Sequence, residues 1–87
     1  MASKNIVIKN EQGLHARPAG VLAKETMKSK CNISITANGK KINAKSLLAI
    51  MSAAIKCGTE IELEVTGDGE EEELERISTL IESGLGE

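Results

Sequence analysis

Phenylalanine, tyrosine and tryptophan are all missing from the 87 residues. With no aromatic face there is no platform for stacking nucleic-acid bases. The core has to be built from Ile, Leu, Val, Met and Ala. An excess of positive charge is also missing. Lys and Arg number 11 against 13 Asp and Glu, for a formal net charge of −2, which argues against a general attraction to phosphate backbones. No apolar run reaches the roughly 18 residues of a membrane span. The opening MASKNIVIKN is too short and too polar for a signal peptide, so a cytoplasmic protein is expected. The two cysteines, Cys31 and Cys57, are not spaced as CxxC. They are read as reduced thiols that serve as packing residues. A zinc site would have to combine His15, both cysteines and a fourth ligand, a poor fit to known spacings. No metal or cofactor is expected. The length suits one domain, residues 1–87, with a modest core.

The residues that are present divide into alternating elements. NIVIK (5–9) is apolar and β-branched and predicts a first strand. From Ala16 the period changes: Ala19, Leu22, Ala23 and Met27 fall on one face of a helix. ISITA (33–37) alternates, Asn38-Gly39 supplies a type I′ turn, and KKINA returns as a strand. Ser46 is an N-cap candidate for a second helix over LLAIMSAAIK, with Gly58 as its C′ residue and Ile50, Ala54 and Ile55 as its buried stripe. EIELEVT (60–66) alternates most clearly, with Ile61, Leu63 and Val65 inward and Glu60, Glu62 and Glu64 outward. A third helix follows GDG. It has glutamates at its positive N-terminal end, Leu74, Ile77 and Ile81 on one face, and Gly84 as its stop. One apolar sheet face implies helices on that face only. The expected fold is α+β, a two-layer open-faced β-sandwich of order βαββαβα with a four-stranded, largely antiparallel sheet.

The only histidine, His15, and the only proline, Pro18, lie in EQGLHARPAG (11–20). Proline is tolerated in a first helical turn, where backbone N–H groups have no intrahelical partner. The helix is therefore expected to begin near His15, with its positive end and free N–H groups toward the imidazole. Gly13 allows the preceding loop an unusual path. A neutral imidazole is a good nucleophile toward phosphorus. Once a phosphoryl group arrives, the same N–H groups can bind its oxygens and Arg17 can add charge-assisted hydrogen bonds. No second histidine, paired carboxylate or metal cluster accompanies the site to drive the phosphate onward. That pattern suits a carrier whose partners supply the rest of each reaction. A lone histidine at a helix start is most often a cap or a surface residue, so the whole string has to carry the reading.

GLHARPA (13–19) is identical to the phosphorylation-site signature of the HPr family, the histidine-containing phosphocarriers of the bacterial sugar phosphotransferase system. The chain resembles that family over nearly its whole length. Further points of likeness are NGK (38–40), KS (45–46), IMS (50–52) and the ending GLGE (84–87). The resemblance implies that His15 accepts a phosphoryl group at Nδ1 from phosphorylated Enzyme I and passes it to an enzyme IIA component of a sugar permease. AKSLLAIMSA resembles the regulatory segment of Gram-positive members. That implies Ser46 as a phosphoserine made by HPr kinase/phosphorylase and read by the catabolite control protein. Leu47, Leu48 and Met51 are read as a docking patch beside the histidine. With Ala16 and Gly20 they form the expected partner-binding face. A carrier presenting one small face to successive partners is expected to be a monomer. The chain departs from the family in two ways: relatives usually keep at least one aromatic, and Ala54 stands where glycine is common. His15 argues against the regulatory relative that has glutamine there. Two other classes compete, an acylphosphatase-like hydrolase using Arg17 and a purely regulatory module acting through Ser46. The first lacks a place for GLHARPA and for the third helix, and the second leaves an intact histidine site unexplained.

Overall fold

The computed structural model of the protein describes residues 1–85, so Gly86 and Glu87 of the GLGE ending lie outside the described residues. Strand β1 (Ala2–Val7), helix α1 (Ala16–Met27), strands β2 (Asn32–Ala37) and β3 (Lys40–Asn43), helix α2 (Leu47–Ser52), strand β4 (Glu60–Thr66) and helix α3 (Glu70–Glu82) follow in that order. The strands form one antiparallel sheet ordered β1-β4-β2-β3. The register sets Ile6 opposite Ile61, Ile33 opposite Val65 and Ile35 opposite Leu63. Period-two alternation thus gathers the apolar side chains on one face, and that face is covered by the helices. Ser34, Thr36, Glu62 and Glu64 lie on the other. This is the open-faced α+β sandwich, βαββαβα, that the alternation implied.

Isoleucine dominates the aromatic-free core. Ile8, Ile35, Ile50, Ile61, Ile77 and Ile81 are each exposed by 2% or less. Each such side chain contributes about 1.5–3 kcal/mol by leaving water. Asn38 and Gly39 both have positive φ, 53° and 80°, as a type I′ hairpin requires. At the end of α3, Gly84 has φ 94°. The N–H groups of Gly84 and Leu85 donate to Ile81 O and Leu80 O, which satisfies the last carbonyls in a Schellman arrangement. Helix α3 is tied to the C-terminal half of α1 by Arg76. Its guanidinium donates to Glu73 Oε1 (3.0 Å), to Glu25 Oε1 (3.1 Å) and to Glu25 O (3.0 Å). A side-chain hydrogen bond from Lys28 and the Arg76 charge hold the Glu25 carboxyl below the usual carboxylate range. The Arg76 hydrogen bond does the same for Glu73.

Several expectations need correction. Strand β1 starts at Ala2, not Asn5, because β4 is long enough to pair its backbone with Ala2 through Val7 whatever the side chains. Ile8 is buried but lies beyond the strand. Met27 is 64% exposed: the buried face of α1 is Pro18, Ala19, Leu22, Ala23 and Thr26, and by the last residue the helix has turned Met27 away from the core. Helix α2 ends at Ser52, four residues short of the expected end. Ala54 adopts φ 50°, is exposed, and leaves Ile50 and Ile55 to carry the burial. Gly58, with φ 86°, serves a later turn, and its N–H donates to Ile8 O (2.8 Å). Cys31 is buried as expected and its Sγ donates to Asp68 O (3.2 Å), but Cys57 is exposed and does not pack in the core.

Candidate functional site

His15 is the N-cap residue of α1, in extended conformation (φ −77°, ψ −169°) and half-buried. Its carbonyl accepts the first intrahelical bond, from Ala19 N–H (2.9 Å). The N–H groups of Ala16 and Arg17 come before that bond, Pro18 has none, and the imidazole does not cap them, so the helix itself uses none of the first-turn donors. Arg17 stands exposed in this turn, while Pro18 is buried and anchors it. The positive end of a twelve-residue helix is therefore aimed at the ground beside His15.

Two contacts hold the loop that delivers the histidine. The Gly13 N–H donates to Asn10 O (2.9 Å) and the Leu14 N–H donates to Ile55 O (2.8 Å). Gly13 has φ 70°, and a Cβ at that position would collide with the Ile55 carbonyl and lie 2.7 Å from Lys56 Cα. Only glycine fits so close an approach to the neighbouring backbone. The left-handed turn at Ala54 is what swings Ile55 under Leu14. The early end of α2 and the placement of His15 are thus one feature of the structure.

The structure brings most of the expected residues together. His15, Ala16 and Met51 line one shallow depression, together with Gln12, Leu14 and Ala54. Gly20 and Leu47 line a second one with Met27, between Lys24, Lys28 and Lys45. Leu48 is 77% exposed, and Leu47 (43%) and Met51 (45%) are also uncovered. These three side chains leave the α2 face apolar and open to solvent. Ser46 caps α2: its Oγ accepts from Ala49 N–H (3.1 Å). The approach to α2 is pinned to α1, since Thr26 Oγ1 donates to Ala44 O (2.7 Å) and Lys45 Nζ to Ser29 O (2.8 Å). Arg17 stays exposed, and it shares the first turn of α1 with the His15 cap.

Two residues at the site escaped the sequence reading. Met27 was counted as core from its helical spacing, yet it extends the exposed apolar surface next to Leu47. Asn10 is only 6% exposed and lines a depression together with His15. Its polarity gave no sign of burial, because its partner lies 74 residues away.

Known proteins resemble this chain in sequence and fold. A family model described as the PTS HPr component phosphorylation site matches residues 2–83. The phosphocarrier protein HPr of Mycoplasma capricolum subsp. capricolum is 44% identical over 86 residues, covering 98% of this chain and 97% of its own. The crystal structure of HPr-C-His from Thermoanaerobacter tengcongensis superposes with a TM-score of 0.94 at 41% identity, over 100% of this chain and 98% of the other. A structure of an HPr dimer from the same organism gives 0.78 at 41% identity, covering both chains fully. A match that runs through every element from β1 to α3, at 41% and 44% identity to relatives covered almost whole, makes this chain a member of the HPr family of phosphotransferase-system phosphocarriers.

Proposed function

We propose that the protein carries phosphoryl groups on His15, receiving them from phosphorylated Enzyme I and giving them to enzyme IIA components of sugar permeases in the cytoplasm. The observation that carries this reading is the position of His15: it caps α1, is partly open to solvent, and shares a depression with Met51 of the exposed α2 face. In the transfer, the lone pair of the neutral imidazole Nδ1 attacks phosphorus. A P–N bond forms at His15 as the donor's bond to phosphorus breaks. The negative oxygens then meet the Ala16 and Arg17 N–H groups and the Arg17 guanidinium, an arrangement that stabilises charge where it develops. Beside His15 the lining of that depression holds Lys56 but no carboxylate and no second histidine, which suits a carrier that leaves the onward step to its partner.

Ser46 is the regulatory phosphorylation site in this reading, the substrate of HPr kinase/phosphorylase, and the phosphorylated form is recognised by the catabolite control protein. The docking face comprises Ala16, Gly20, Leu47, Leu48 and Met51. A carrier using one face toward each partner in turn acts as a monomer. An HPr dimer is known for the Thermoanaerobacter relative, so sedimentation at working concentration is the direct check.

Incubation with Enzyme I and labelled phosphoenolpyruvate tests the assignment. The expected product is an acid-labile phosphoprotein in the wild type and none in His15→Ala. Steady release of phosphate identifies a hydrolase instead. Labelling of His15→Ala removes His15 from its role.

A further inference from the structure

Asn10 is the buried polar side chain closest in sequence to the site. It stands in the loop between β1 and α1, five residues before His15. Its Nδ2 donates to Gly84 O (2.8 Å), and Gly84 is the left-handed residue that ends α3. Its own carbonyl accepts the Gly13 N–H. One residue thus joins the C-terminal turn of α3 to the glycine on which the histidine loop pivots. The second hold on that loop, Leu14 N–H to Ile55 O, comes from the opposite side. Asn10, Gln12 and His15 also line a further depression whose far wall is Glu82, Ser83 and Gly84 of the α3 end. The Asn10–Gly84 bond links the two walls of that depression.

We propose that Asn10 is a positioning residue for phosphoryl transfer: it fixes the 10–14 loop against the end of α3 and so holds the His15 imidazole in line for attack. The proposal rests on the carrier reading of His15. Its physical basis is that transfer through a positioned nucleophile depends steeply on geometry, with displacements of an ångström costing on the order of a hundredfold. Losing the amide releases the tie to α3 but leaves the backbone bonds Gly13 N–H to Asn10 O and Leu14 N–H to Ile55 O in place, so a partial displacement is expected.

The test compares wild type, Asn10→Ala and the isosteric Asn10→Asp, which has the same shape but no amide donor for Gly84 O. Transfer from phosphorylated Enzyme I is followed over a range of carrier concentrations, and the His15 ring protons are observed by NMR in the free proteins. The expected result is a kcat lowered about tenfold with KM within about twofold, together with shifted or broadened His15 ring resonances in the variants. Ile35→Val, a core change remote from the loop, controls for lost stability and should leave rate and ring resonances as in wild type. Wild-type kcat and unaltered ring resonances in a folded Asn10 variant overturn the proposal and leave the carrier reading intact. Should Asn10→Ala not fold, Asn10→Asp decides by the same two readouts. A wild-type protein that Enzyme I does not label overturns the carrier reading, and the positioning role falls with it.

Discussion

Ala54 holds φ 50°, a left-handed conformation that costs an L-residue with a Cβ roughly 1–2 kcal/mol. The cost is offset by what the turn achieves, since it places the Ile55 carbonyl on Leu14 N–H beside His15. Ala54→Gly is expected to relieve the strain without moving the loop. It should stabilise the protein by about 1 kcal/mol and raise Tm by roughly 4–8 °C, and a lowered Tm on calorimetry would show that the turn is not strained. Arg17 belongs to the same scale. It is exposed in the first turn, so Arg17→Ala should leave the unfolding free energy within about 0.5 kcal/mol of wild type and slow transfer in both directions. Unchanged rates in stopped-flow labelling would take the guanidinium out of the site. At this scale the sequence was legible where chemistry is local: the lone imidazole next to a first-turn proline could be placed at a helix start from the residues alone. It was silent on Ala54 as a turn residue, because nothing in SAAIK distinguishes a helix interior from a left-handed stop.

Helix α2 is only six residues long, and isolated helices of that length do not persist in water. It stands because Ser46 caps it, Ile50 is buried, and Thr26 and Lys45 pin its entry to α1. Ser46→Ala removes the cap acceptor and should destabilise the protein by about 1 kcal/mol, whereas Ser46→Asp keeps an acceptor at the same place. The two variants therefore separate stability from function. The Asp variant is expected to be the more stable of the pair and the slower to be labelled at His15, since its charge adjoins Leu47, Leu48 and Met51 and must be desolvated or repelled as a partner docks. Equal labelling rates would sink this account of regulation. Phosphate itself, with about −1.5 to −2 charges, should act in the same direction and more strongly. Among the elements, β4 was the most readable, since its strict alternation admits one buried face. Helix α2 was the least, because its length is decided by where the chain must turn back toward the histidine loop.

Across the whole molecule, α1 and α3 are joined at the end away from the first turn of α1 by the Arg76 cluster with Glu25 and Glu73. Both carboxyls titrate below the usual range in the folded protein. The unfolded chain then binds more protons in that range, so stability rises with pH there. The contribution is present above the unfolded glutamate value, about 4.3, and is lost as pH falls through the lowered folded values. Arg76→Met should therefore flatten the fall in urea-unfolding free energy between pH 7 and pH 3. A fall as steep as in wild type would assign acid sensitivity to other carboxylates. The cluster was invisible beforehand, since Glu25 and Arg76 are 51 positions apart.

The sequence by itself determined the elements whose pattern is local: the β4 alternation, the Asn38-Gly39 hairpin, the α1 start at His15, the Ser46 cap and the Gly84 stop. Each follows from backbone preference or periodicity within a few neighbours. Tertiary structure alone decided which surfaces those elements leave open and what holds the site in place. It turned Met27 and Cys57 outward, carried β1 back to Ala2 on the length of β4, ended α2 at Ser52, and joined Asn10 to Gly84 across the fold. The reason is that burial and hydrogen bonding of these groups depend on partners far along the chain. Such partners become neighbours only when the sheet has closed in the order β1-β4-β2-β3.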